Sequence, residues 1–223
     1  MMKPVFYLIV VMVVAVLYLI RARILGKQLQ IYILKPFATL VVITVALLSF
    51  LNPDHNTVYT AGILTGLLFS LGGDIALLFQ ENRKAFTLGL GLFFVVHVIY
   101  ILIFTVLGSF SVWDVITLLV LLAAGSGFYN LIKSNLKKLQ IPVIIYIVVI
   151  SLMVSRAVST LFNLSYFSTE QAVMISLGAI LFYFSDLILA ANRFWKPWQY
   201  HHISLVFYYG GQLLIALAAG YFG

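Results

Sequence analysis

A chain of 223 residues that is 64% hydrophobic and only 9% charged, with a mean hydropathy of +1.14, carries more apolar surface than a soluble core can hide. With no cysteine, disulfide frameworks and thiolate metal sites are excluded. The formal charge of +7 would suit nucleic acid, and the placement of the basic residues decides against that partner.

Runs of about 20 apolar residues are the spanning signal, because a helix rises about 1.5 Å per residue across a hydrocarbon core of about 30 Å. Eight such runs follow in chain order: residues 4–20, 31–51, 58–79, 86–107, 112–132, 141–162, 172–191 and 201–222. The first ends in "LIRAR" without a small-residue cleavage pattern and reads as a retained helix. Connections are short, so the expectation is an all-α polytopic membrane protein in which residues 1–223 form a single transmembrane domain.

The basic residues alternate between connections. Arg21, Arg23 and Lys27 follow the first run, Arg83 and Lys84 the third, Lys133, Lys137 and Lys138 the fifth, and Arg193 and Lys196 the seventh. The loops "NPDHNT", "GSFSVW" and "NLSYFSTE" have no Lys or Arg. Positive charge collects on the cytoplasmic side, which puts both termini outside in an inner or plasma-type membrane and assigns the basic charge to anionic lipid, not nucleic acid.

Five ionisable groups are left over: Lys35, Asp74, His97, Arg156 and Asp186. A charge at bilayer depth costs about 2.5–3.5 kcal/mol even on the lenient insertion scale, so each needs a partner, a wet cavity or a function. Asp74 and Asp186 fall one to two turns from the cytoplasmic ends of their runs. Lys35 lies near the cytoplasmic start of the second, before Pro36, which is expected to kink or begin that helix. Two acids and a base at similar depth on three helices can share one pocket opening to the cytoplasmic leaflet. The alternative is separate pairing with loop bases, Asp186 with Arg193 on the same helix face.

Neighbouring positions support a buried site. Gly62, Gly66, Ser70 and Asp74 form a small-residue stripe that allows close packing and turns the acid into the bundle. His97 and Tyr100 share a face of the fourth run; a lone intramembrane histidine is more often structural than catalytic. In "FYYGGQLLI" Tyr208 and Gln212 share a face, with Tyr209 beside them, and interhelical glue and substrate contact are equally good readings. A faint internal echo aligns "GLLFSLGGDIALLF" with "GAILFYFSDLILAA", matching Asp74 to Asp186 and Gly66 to Gly178, while Pro36 and Pro142 open the second and sixth runs. A parallel four-plus-four duplication would set the two acids across a pseudo-axis.

The chain has no G-x-S-x-G, no H-E-x-x-H and no Gly-rich phosphate loop, so serine hydrolase and ATPase readings lack their parts. His97 and the two aspartates supply at most three metal ligands, with His201 or His202 as a remote fourth; no metal is assigned.

Five segments, "LKPF", "GLLFSLGGDIAL", "GLFFVVHVIY", "GAILFYFSDLILAANRF" and "FYYGGQLLI", resemble the YhhN family, the lysoplasmalogenases, in order and spacing from about residue 30 to 220. The resemblance implies an eight-helix hydrolase that cleaves the vinyl-ether bond of a lysophospholipid substrate in the membrane, releasing a fatty aldehyde and a glycerophospho-headgroup. By motif match it carries the family's two acids onto Asp74 and Asp186, and its lysine, histidine, asparagine and glutamine onto Lys35, His97, Asn192 and Gln212. Such chemistry fits a two-carboxylate site, one acid protonated and the other ionised. The Arg193 face match favours Asp186 as the ionised member and Asp74 as the acid. Lys35 either holds the substrate phosphate or keeps an acid ionised, and Tyr100, Asn192, Arg193, Tyr208, Tyr209 and Gln212 complete the expected contacts. No organic cofactor is required. The competing class is a proton-coupled transporter or lipid translocator using the same acids.

Overall fold

The computed structural model describes residues 2–52, 55–163 and 166–221. Pro53, Asp54, Leu164 and Ser165 of two expected outer loops, and residue 222 of the last expected span, lie outside the described residues. Eight α-helices follow one another: α1 (Met2–Ile24), α2 (Gln28–Leu48), α3 (Thr57–Leu78), α4 (Arg83–Val106), α5 (Val112–Leu136), α6 (Gln140–Ser159), α7 (Thr169–Phe194) and α8 (Ile203–Ala218). There is no strand among the described residues.

Local sequence explains where the helices begin and end. The Asn56 carbonyl accepts the Tyr59 amide at 2.9 Å and Asn82 that of Lys84 at 2.8 Å, while Ser111–Asp114 and Ser168–Gln171 form capping boxes on α5 and α7. Gly26, at φ 65°, closes α1 with the Lys27 amide bonded back to the Ala22 carbonyl at 2.9 Å, a left-handed position that suits glycine. Pro36 does not begin α2, as expected from sequence, but lies inside it. The helix already runs through Ile31 and Tyr32, so the proline falls beyond its first turn, where it removes one backbone donor.

Among the described residues, six stretches are long and apolar enough to cross a bilayer: Pro4–Ile24, Gln28–Leu51, Thr57–Leu78, Arg83–Val106, Val112–Phe162 and Thr169–Phe194. The expected count of eight differs for two physical reasons. The 3-10 turn Lys137–Leu139 follows α5 directly and α6 follows it directly, so the two make one uninterrupted apolar stretch although Lys137, at φ 50°, turns the chain between them, and α8 has only 16 residues. Large apolar side chains such as Phe6, Leu17, Leu102, Val120, Val148 and Val173 are exposed along the outer surface. Such a girdle faces lipid, and the chain is an integral membrane protein.

Consecutive helices pack as the hairpins α1/α2, α3/α4, α5/α6 and α7/α8. Helix α2 also packs on α3 and α8, and α6 packs on α7 and α4, the same relation four helices on. Glycines set the closest approaches: a Cβ on Gly178 would stand 2.8 Å from the Gly211 carbonyl oxygen, so backbone meets backbone between α7 and α8. On the opposite side, far from the acids, Arg156 of α6 donates to Asp114 at 2.6 Å and to the carbonyls of Phe104 and Ser109, and Ser159 donates to Asp114 at 2.7 Å. Arg156 thereby acquires its partner in a residue that the hydrophobic pattern of α5 hides.

Candidate active site

Asp74 lies one turn before the end of α3 and is 1% exposed. The Lys35 ammonium, from α2, stands 3.2 Å from its Oδ1 and donates to the Asp74 carbonyl at 3.2 Å. The hydroxyls of Thr39 and Tyr208 donate to Oδ2 at 2.6 and 2.9 Å. Asp74 thus has a cation at one oxygen and two hydroxyl donors at the other. Lys35 is positioned from below: the Tyr209 hydroxyl donates to its carbonyl at 2.8 Å.

Asp186, on α7, has a different environment. The Tyr146 hydroxyl donates to its Oδ2 at 2.5 Å, and the His97 Nε2 lies 3.2 Å from the same oxygen and 3.0 Å from the Tyr146 oxygen. His97 is fully buried against Phe182 and Tyr146, and its Nδ1 has no hydrogen-bond partner. The ring therefore makes its hydrogen bonds through Nε2 alone.

The expected pairing of Asp186 with Arg193 does not occur. Seven residues correspond to about 10 Å along a helix, and Arg193 instead reaches the α3–α4 connection. It stands 3.8 Å from Glu81, donates to the Gln80 carbonyl at 3.2 Å and lies 5.1 Å from the centre of the Phe86 ring. This removes the reason for assigning the ionised role to Asp186.

Both acids open onto one cavity of about 280 Å³, also lined by Arg23, Lys35, Asn192, Arg193, His201, His202 and Tyr208, among the α3–α4 and α7–α8 connections. Asn192 also accepts the Trp198 amide at 2.9 Å and so shapes the rim. Behind Asp186 a second cavity, of about 70 Å³, is lined almost entirely by apolar side chains of α4 to α7, including Phe86, Leu90, Phe128, Ile147 and Phe194. Leu77, Phe93, Asp186 and Leu189 line both. Asp186 is the one carboxyl among these four, at the boundary between a polar and an apolar space.

Four of the expected contacts lie outside this cavity: His97, buried beside Asp186 and Tyr146, and three residues that bridge helices. Tyr100 donates to Gln212 Oε1 at 2.8 Å, and Gln212 donates to Ser70 at 2.9 Å, a buried bridge across α4, α8 and α3. With Tyr209 held on the Lys35 backbone, these residues tie helices together. Sequence reading overlooked Thr39 and Tyr146. Tyr146 had a signal: it precedes Asp186 by 40 residues, as Lys35 precedes Asp74 by 39. No group of three or more His, Asp or Glu side chains that could hold a metal occurs among the described residues.

The family model for the YhhN family matches residues 30–219. The bovine (Bos taurus) protein named lysoplasmalogenase TMEM86A is 31% identical over 160 residues, covering 70% of this chain and 64% of the relative. The human (Homo sapiens) lysoplasmalogenase TMEM86B is 29% identical over 163 residues, covering 72% of this chain and 64% of the relative. The chain thus spans just under two thirds of the length of these relatives. No solved structure gives a significant match. The match spans both acids and the Lys35, His97 and Tyr146 side chains that hold them, and the chain belongs to the YhhN family.

Proposed function

We propose that the protein is an ether-lipid hydrolase that cleaves the vinyl-ether bond of lysoplasmalogens, as the names of its relatives suggest. The observation that carries this reading is the position of Asp186, common to an apolar groove and a polar cavity that also holds a paired carboxylate. A single-chain ether lipid has the same division: the alkenyl chain runs into the groove between α4 and α7, the glycerophospho part occupies the polar cavity, and the vinyl-ether carbons lie beside Asp186. The groove encloses only the proximal carbons, and the rest of the chain continues between helices toward lipid.

The surroundings of the acids support roles opposite to those favoured by sequence. Asp74, paired with Lys35, is the permanent anion. Asp186 has only neutral donors and an apolar neighbour, and it carries the proton. It gives that proton to the alkenyl carbon remote from oxygen; the π electrons form the new C–H bond and positive charge spreads over the adjacent carbon and the ether oxygen. The Asp74 carboxylate stabilises this cation. Water adds to the cationic carbon and returns a proton to Asp186, giving a hemiacetal that collapses to aldehyde and glycerol hydroxyl. Tyr146 and His97 hold the Asp186 oxygen in place through both protonation states.

The same chain is read as crossing the membrane eight times, with both termini outside and the cavity open to the cytoplasmic leaflet. A parallel four-plus-four repeat fits the acids' surroundings. Asp74 on α3 is held from α2 and α8, and Asp186 on α7 is held from α6 and α4. That repeat also suits a proton-coupled transporter, the second reading. Purified protein in detergent separates the two. Aldehyde release from a 1-alkenyl lysophospholipid, lost in Asp74→Asn and Asp186→Asn, is the expected result; no aldehyde from folded wild type would leave the transporter.

A further inference from the structure

The charged side chains around the 280 Å³ cavity are Arg23, Lys35 and Arg193 on one side of the count and Asp74, Glu81 and Asp186 on the other. Two of the cations are committed: Lys35 to Asp74 at 3.2 Å and Arg193 to Glu81 at 3.8 Å. The Arg23 side chain makes no hydrogen bond or ion pair among the described residues, and its Nε is buried without a partner. The positive-inside pattern accounts for Arg21 and Lys27, which are exposed on either side of it. It does not account for an arginine turned into the bundle, because a topological charge belongs in the headgroup region, where water and lipid satisfy it.

Beside Arg23, the His202 Nδ1 is likewise buried and unpartnered. His201, its ring 4.1 Å from that of His202, has its Nδ1 committed to the Trp198 carbonyl at 2.6 Å and keeps Nε2 free. These three residues line both the inner cavity and an adjoining outer one of about 540 Å³, so they stand in the wall between the two. If Asp186 carries a proton, as the proposed hydrolysis requires, the inner cavity has one positive charge more than its anions balance. An arginine that lines the cavity with its Nε buried and unpartnered is complementary to a phosphate, which accepts from a guanidinium in a bidentate fashion.

We propose that Arg23 and His202 form a phosphate subsite at the outer end of this cavity, which anchors the phosphodiester of a single-chain lipid while its chain enters from the far end. The inference rests on the hydrolase reading for the identity of the lipid and for the proton on Asp186. It also assigns Lys35 to charge balance at Asp74, so that the phosphate ligand comes from α1, a helix lying outside the matched residues 30–219.

The test uses the full-length protein in detergent and ligands without a vinyl ether, so that catalysis is not needed. Binding of a 1-alkyl lysophosphatidylethanolamine and of the phosphate-free 1-alkylglycerol is measured by calorimetry for wild type, Arg23→Gln and Arg23→Lys. Wild type is expected to prefer the phosphate-bearing lipid by about tenfold or more, the worth of a charge-assisted pair. Arg23→Gln should abolish that preference and leave alkylglycerol binding unchanged, which also certifies its fold; Arg23→Lys should keep part of it. Inorganic phosphate distinguishes the sources: competition with the lysolipid shows that the phosphate group alone suffices, and its failure to compete shows that the lipid's phosphodiester is required. Equal lysolipid affinity in wild type and Arg23→Gln would overturn the subsite. A wild type that releases no aldehyde yet keeps an Arg23-dependent preference would sink the hydrolase and leave the subsite standing.

Discussion

Replacing Lys35 by Met tests the core of the site. The ammonium is 4% exposed and 3.2 Å from Asp74 Oδ1. At that separation, with an effective dielectric of about 20, the Coulomb attraction is about 5 kcal/mol, and removing one member of a buried pair costs about 3–5 kcal/mol because the other charge is stranded. Lys35→Met is therefore expected to lower stability by about 3 kcal/mol or more. Asp74→Asn alone also destabilises, since it strands the ammonium. The double variant Lys35→Met/Asp74→Asn should recover at least half of the loss: a neutral amide oxygen still accepts from Thr39 and Tyr208. All three are expected to be inactive, as none keeps the balanced carboxylate. The assay is unfolding in mixed micelles followed by tryptophan fluorescence, with aldehyde release measured on the folded fraction. A double variant no more stable than Lys35→Met, or a Lys35→Met protein with wild-type stability, would refute the pairing and return Lys35 to the substrate.

Tyr146→Phe removes the donor 2.5 Å from Asp186 and should cut kcat by about ten- to a hundredfold with little change in KM; a change confined to KM would make Tyr146 a substrate contact. Leu90→Trp fills the apolar groove and is expected to raise KM for long alkenyl chains more than for short ones, and equal effects on both would remove the chain from that groove. Arg156→Met should destabilise by about 3 kcal/mol yet leave kcat per folded molecule intact, because its clasp on Asp114 serves the other end of the bundle. Burial, His201 and Arg23 push His202 below the ordinary histidine value. The folded state therefore binds this proton less well than the unfolded one, and stability falls as pH drops through the unfolded value of about 6.5. Thermal midpoints at pH 7.5 and 5.5 should show a drop in wild type that is smaller in His202→Gln.

Much of this protein was determined by local sequence, because a bilayer leaves few options. Without water to satisfy the backbone, apolar runs become helices whatever their tertiary partners, so helix order and the isolation of Asp74, Asp186, Lys35 and Arg156 in apolar surroundings were legible. The spacing Gly62, Gly66, Ser70, Asp74 likewise announced a face turned inward. What one dimension does not contain is which helix faces which. Arg193 shares a face with Asp186 and still pairs with Glu81, because a side chain bonds to what stands opposite it across the bundle. Arg23 lies among loop bases in sequence and in a cavity wall in space. Tyr100, Tyr209 and Gln212 have the composition of a binding site and the contacts of a brace. The different surroundings of the two acids, one held by an ammonium and the other between neutral hydrogen bonds and an apolar groove, arise only when α2, α4, α6 and α8 converge on α3 and α7. Electrostatic environment is a property of that convergence, and only the tertiary structure decided it.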